Sequence, residues 1–162
     1  MTFLFIAALL AAEPTVEEQA YKLIKDNNKT SMACTQHAMG AFGSVMPFLL
    51  DKGRPVVFIS DLAEHTKNIN KDSRASIFVM KDRSDFDSPR ATIIGKFVLV
   101  PKKEIEEVKK AYIKEFPQAK FFAELHDFQF YRLEITGIYY VGGFGPKPIQ
   151  WLDIKKYQEA AK

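Results

Sequence analysis

Residues 44–60 read Ser44-Val45-Met46-Pro47-Phe48-Leu49-Leu50-Asp51-Lys52-Gly53-Arg54-Pro55-Val56-Val57-Phe58-Ile59-Ser60. Two apolar runs, 44–50 and 55–60, flank Asp51-Lys52-Gly53, a triplet with the composition of a hairpin turn. Strands joined this tightly pair antiparallel, because parallel neighbours need a crossover of roughly a dozen residues or more. The link therefore predicts a meander rather than a doubly wound sheet. The second run is apolar throughout, which predicts a strand covered on both faces.

Upstream, Pro14-Thr15 opens a helix. Thr15 is placed to cap it, Glu17 and Glu18 sit in its first turn near the positive helix end, and Val16, Ala20, Leu23 and Ile24 form one apolar face. Asn27-Asn28 ends it. Small and β-branched residues at 30–36 predict a strand, and Gly40 to Gly43 a turn region. Downstream, Asp61 is expected to cap a short helix over 62–71, followed by a strand at 75–80, a polar loop at 82–89 and a long strand at 91–100 interrupted by Gly95. Pro101 opens a second helix on which Ile105, Val108, Tyr112 and Phe116 follow the helical repeat, and Pro117 closes it. Residues 128–135 and 138–141 predict the last strands. Gly142-Gly143-Phe144-Gly145 is a flexible segment stiffened afterwards by Pro146 and Pro148. The sum is a mainly β, α+β chain: six or so strands in a mainly antiparallel barrel, with helices inserted between some of them.

Composition narrows the function. The chain has 162 residues, 47% hydrophobic and 27% charged, which suits one globular domain. Its 23 basic and 20 acidic residues leave +3, too small and too dispersed an excess for nucleic acid. Three scattered histidines and the single Cys34 offer no metal-ligand spacing and no internal disulfide, so no metal site is expected. Cys34 reads as a buried thiol. Residues 3–12 are unbroken apolar sequence, far short of the roughly 20 that span a bilayer. They read as an extra apolar helix or, in the alternative of an exported protein, as the core of a signal peptide. The expected division is an apolar segment at 1–12, the barrel at 13–150 and a tail at 151–162, in a cytoplasmic protein or, in that alternative, an exported one. On the tail, Trp151 and Tyr157 could cover a ligand or dock on a partner subunit.

No nucleophile elbow, Walker loop or dinucleotide fingerprint is present. The chemistry gathers instead at Ser60-Asp61-Leu62-Ala63-Glu64-His65-Thr66-Lys67-Asn68. A strand ends, a helix begins, and hydroxyl, imidazole, ammonium and amide donors crowd within two turns. Such a junction suits a phosphate monoester; the alternative is a capped surface helix with a solvated polar face.

These blocks carry a family resemblance. Gly53-Arg54-Pro55, Ser60 to Asn68, Asp72-Ser73-Arg74-Ala75-Ser76, Pro89-Arg90-Ala91-Thr92, Phe130-Tyr131-Arg132-Leu133 and Val141-Gly142-Gly143-Phe144-Gly145 occur in family order across residues 14–150. The chain resembles the split-barrel flavoproteins related to pyridoxamine 5′-phosphate oxidase, and within them the haem-utilisation proteins and the barrel of CREG-type glycoproteins. The resemblance implies a six-stranded antiparallel split barrel with flanking helices, and a homodimer with two FMN sites at the subunit interface. It places Ser44, Ile59 and Ser60 along the flavin, and His65 and Thr66 where the oxidases carry an Arg-Lys pair on the phosphate, with Lys67 and Asn68 beside them. Arg90 falls where they carry a glutamine near the flavin ring, and Tyr140 near their ring-packing tryptophan.

Two departures shape the functional expectation. Neutral His65 and Thr66 replace two cations, and the stretch 144–150 lacks the oxidases' Arg-x-His element, so pyridoxamine phosphate oxidation is not expected. Asp127 matches an acidic position of some haem-degrading relatives, beside its plainer reading as a strand-start cap. The leading expectation is an FMN-binding oxidoreductase with no assignable catalytic residue. The alternatives are a haem-binding or haem-degrading protein on the same barrel, or a non-enzymatic CREG-like interaction protein.

Overall fold

The structure is a computed structural model that describes residues 13–162; the apolar run at 3–12 lies outside them. Helix α1 (Val16–Asp26) begins at a capping box: Thr15 Oγ1 accepts from the Glu18 backbone N–H, and the Glu18 carboxylate accepts from the Thr15 N–H at 2.7 Å. Eight strands follow: β1 (Met32–His37), β2 (Gly40–Val45), β3 (Leu49–Asp51), β4 (Arg54–Ser60), β5 (Arg74–Met80), β6 (Arg90–Leu99), β7 (Phe128–Val141) and β8 (Ile149–Trp151). Between and after them lie α2 (Glu64–Lys71), α3 (Ile105–Glu115) and α4 (Ile154–Ala160).

All strand pairs are antiparallel, in the order β2-β1-β5-β6-β7-β4-β3, with β8 on β7. The α+β class and the antiparallel sheet with flanking helices agree with the sequence. Among the described residues the strand number is eight rather than six, and the sheet does not close: β2 and β3 are its edges.

Two local expectations are corrected. Gly40 to Gly43 is not a turn but the start of β2, paired residue for residue with β1 from His37↔Gly40 to Met32↔Val45. Cross-strand pairing outweighs the low strand preference of glycine. Residues 44–50 are not one strand, because Pro47 has no N–H to donate to a ladder. The Met46 and Phe48 N–H groups turn away to Ser31 O at 3.0 Å and Asn28 O at 3.2 Å, and both side chains are buried. The chain thereby crosses from one edge of the sheet to the other before the hairpin. That hairpin is as expected: Lys52 (φ 49°) and Gly53 (φ 76°) both have positive φ, as a type I′ turn requires.

Two cores hold the fold. The larger packs α1, α2 and α4 on the inner face of the sheet around Ile24, Phe48, Ile77, Ile93, Leu133, Ile138 and Tyr157. The smaller packs α3 on Val56, Val100 and Phe130 through Val108, Tyr112 and Phe116. Tyr157 is fully buried, and its hydroxyl donates to Gly53 O at 3.1 Å, so α4 clamps the β3–β4 turn. In β7, Thr136 is an extra residue opposite the Ile94–Gly95 step, and at this bulge a Cβ on Gly95 would lie 2.2 Å from Glu134 O.

Burial raises the Tyr112 phenol to about 12 and pushes that of Tyr157 higher still. The unfolded chain releases these protons near pH ~10. Above that pH it binds fewer protons than the folded state, so stability falls as pH rises from about 10 toward 12. Thermal melts at about pH 9 and about pH 11.5 should show a marked drop in Tm, and Tyr112→Phe should reduce that drop. An unchanged Tm difference in the variant would remove this cause.

Candidate functional site

The corner where β4 meets α2 is built differently from the expected phosphate cradle. Helix α2 starts at Glu64, not near Leu62. Its N-cap is Ala63, without a side-chain cap, and Asp61 does not cap it. Ser60 organises the turn instead: its hydroxyl accepts from the Leu62 N–H at 3.1 Å and donates to Asp127 Oδ2 at 2.5 Å. Asp127 O also accepts from the Asp61 N–H at 2.7 Å. A carboxylate therefore stands on the hydroxyl that would greet a phosphate.

Lys67 and Asn68 are also engaged within the protein. Lys67 Nζ lies 3.7 Å from Glu64 Oε2, and His37 Nε2 lies 3.7 Å from Glu64 Oε1. Burial lowers the His65 pKa, which keeps its imidazole neutral at pH 7. Thr66 and Asn68 are fully buried; Asn68 Nδ2 donates to Thr35 Oγ1 at 3.3 Å, while Thr66 Oγ1 and Asn68 Oδ1 have no protein partner. They face the interior between α2 and β1, not a ligand at the surface. The donor set does not fit a dianionic phosphate.

Side chains alternate across a strand, and this separates the other expected contacts. Ser44, opposite Ala33, lies on the inner face with an unpartnered buried hydroxyl, and Ile59 is part of the larger core. Tyr140 is buried on the inner face. Arg90, opposite the neighbouring Val141, is on the outer face, so the two cannot line one surface. The Arg90 guanidinium donates to Phe86 O at 3.0 Å and Ser88 O at 3.2 Å and sits 5.4 Å from the Phe144 ring centroid. Asp87 ties the same loops together by accepting from the Phe144 N–H and pairing with Lys147 at 2.6 Å. Trp151 lies over Gly137 beside Tyr139, with ring centroids 5.1 Å apart.

The outer face of the sheet is the more open surface. One groove of about 450 Å³ is lined by Cys34, Gln36, Arg74, Ser76, Thr92, Ile94 and Lys96. A second, of about 380 Å³, is lined by Phe78, Arg90, Tyr139, Val141 and Ile149 and shares Thr92 with the first. Arg74 and Lys96 stand directly opposite each other across β5 and β6. Like charges in that register repel. Asp72 pairs directly with Arg74, at 2.6 Å, and that guanidinium, with a smaller contribution from Lys96, holds the Asp72 carboxyl down to about 2. Glu134, opposite Lys96 on β7, is turned to Arg54 at 3.1 Å.

Arg74 and Lys96 were not singled out as binding residues from sequence, and Asp127 stood there only as a match to an acidic position of haem-degrading relatives or as a strand-start cap. The alternation of Arg74, Ser76 and Phe78 with buried Ala75, Ile77 and Val79 marks the outward face of β5, but only the register brings Lys96 opposite Arg74.

A family model described as CREG, beta-barrel, matches residues 14–159. The chain belongs to the CREG β-barrel family. This CREG β-barrel is 35% identical over 102 residues to the non-canonical haem oxygenase HOZ of Arabidopsis thaliana chloroplasts, a match covering 62% of this chain and 32% of that protein. The chain thus spans about a third of that relative's length. Among solved structures, a haem-binding protein from Mycobacterium smegmatis superposes with a TM-score of 0.82 at 25% identity, over 92% of this chain and 62% of that one. HutZ, a haem storage protein from Vibrio cholerae, gives a TM-score of 0.68 at 25% identity, over 81% of this chain and 98% of that one. A putative pyridoxamine 5′-phosphate oxidase from Listeria innocua, at 11% identity and a TM-score of 0.64, over 80% of this chain and all of that one, shares the fold alone. The CREG β-barrel is thus a split-barrel-like fold. Among its described residues no helix is long and apolar enough to cross a membrane, and no group of His, Cys, Asp and Glu is arranged to hold a metal ion.

Proposed function

We propose that this CREG β-barrel binds haem on the outer face of its sheet. The carrying observation is the Arg74–Lys96 pair beside two contiguous grooves. A porphyrin is a flat apolar plate with two carboxylates on one edge. Phe78, Ile94, Tyr139 and Val141 offer apolar surface to such a plate, and Arg74 and Lys96 offer charge-assisted partners to its carboxylates. Lys96 is then answered by the ligand. Relatives described as a haem oxygenase, a haem-binding protein and a haem storage protein support the same reading. Bound haem would supply the iron-centred chemistry; the chain's own residues hold and orient it.

FMN oxidoreduction, the activity first implied by the resemblance, is supported less well, because the phosphate corner is occupied by Asp127. Shallow grooves bury little of a porphyrin, and we further propose that a second copy closes over the ligand. Met32, Val45, Ile94, Val98, Ile149 and Trp151 leave apolar side chains exposed on this face or its rim, surface that a second copy would cover.

Titration with haemin should give a Soret band that saturates, and sedimentation velocity at micromolar protein should give a dimer. A titration without saturation would overturn the haem reading. Saturation on a monomer would remove only the second copy.

A further inference from the structure

We infer that Asp127 is a specificity-determining residue that closes the β4–α2 corner to phosphate, so that the barrel rejects flavin nucleotides in favour of ligands without a phosphate there. The inference stands on the corner's geometry alone and holds whether or not haem binds. Asp127 Oδ2 takes the Ser60 hydroxyl proton at 2.5 Å, and the Ser60 oxygen in turn accepts the Leu62 N–H. Two donors that could face an anion are thereby consumed, and a unit negative charge is placed within contact distance of where the anion would sit. The nearby cation, Lys67, is already shared with Glu64 at 3.7 Å. A dianion brought here meets repulsion, and the Ser60 hydroxyl, the Leu62 N–H and Lys67 are all engaged elsewhere. The plainer reading, a carboxylate that merely caps a strand start, predicts no effect on ligand choice.

The two readings separate in a flavin titration followed by fluorescence quenching, with FMN and riboflavin as probes that differ only by the phosphate. Wild-type protein should bind FMN no more tightly than riboflavin. Asp127→Asn keeps the size and removes the charge, and should tighten FMN by roughly tenfold or more while leaving riboflavin unchanged. Ser60→Ala, which keeps the carboxylate, should not gain FMN. The inference is overturned if wild type prefers FMN by roughly tenfold, or if Asp127→Asn leaves FMN unchanged or moves both flavins alike. It is equally overturned if Ser60→Ala gains FMN as the amide does. Should Asp127→Asn fail to fold, Asp127→Ser gives the same comparison with a smaller neutral side chain.

Discussion

Replacing Arg74 and Lys96 together by Met should weaken haem binding about a hundredfold, because hydrogen bonds to charged groups are worth roughly 1.5–3 kcal/mol each and two are lost. The side chains are exposed in the single chain, with Arg74 at 69%, so the lower end of that range applies unless a second copy covers them. The dimethyl ester of haem, which has no carboxylates, should bind both proteins alike. Equal weakening of haem and ester would show that the two cations support the sheet or the dimer rather than the carboxylates. Removing them relieves a like-charge pair across β5 and β6 but also takes Arg74 from the exposed Asp72, so the stability of the free protein should change little. Lys96→Met alone leaves the Arg74–Asp72 pair in place, and a destabilised Lys96→Met protein would contradict the reading that Lys96 awaits an anion.

The largest expected loss of stability is at Tyr157. Its ring is fully buried in the main core, 6.1 Å centroid to centroid and edge-on to Tyr21, and its hydroxyl holds Gly53 O. Tyr157→Ala opens a large cavity beneath α4 and should cost about 3–5 kcal/mol, the range for removing a buried aromatic side chain. For a domain of this size that lowers Tm by about 6–20 °C. Tyr157→Phe loses only the bond to Gly53 and should cost about 1 kcal/mol. Denaturant titration of both variants checks the pair. If Tyr157→Ala cost no more than Tyr157→Phe, α4 would be dispensable to the core, contrary to its packing.

The two substitutions act on different parts of the molecule. Tyr157 belongs to the inner face that makes the sheet fold at all. Arg74 and Lys96 belong to the outer face, where the fold leaves apolar surface and charge in excess of what a lone domain needs. Ligand binding at this outer face is compatible with a stable scaffold because the two faces share only the backbone between them.

What was legible from the residues alone was whatever short-range physics decides. Thr15 as a cap, with Glu17 and Glu18 in the first turn, began α1, Pro117 ended α3, and Asp51-Lys52-Gly53 made a hairpin because Lys52 and Gly53 could take positive φ. The apolar run at Val56, Val57 and Ile59 marked a covered strand, and the ordered blocks pointed to the family that the match over 14–159 shows. Tertiary structure decided the rest. Glycine-rich residues 40–43 became a strand only because β1 lay alongside, and Pro47 broke a strand because Met46 and Phe48 found partners at Ser31 and Asn28. Ser60 reads as a free donor until Asp127, 67 residues away, arrives beside it. Arg74 and Lys96 become neighbours only when β5 and β6 fall into register. Caps, turns and periodicity act over a few residues and are written locally, whereas pairings between distant residues exist only once the sheet has formed.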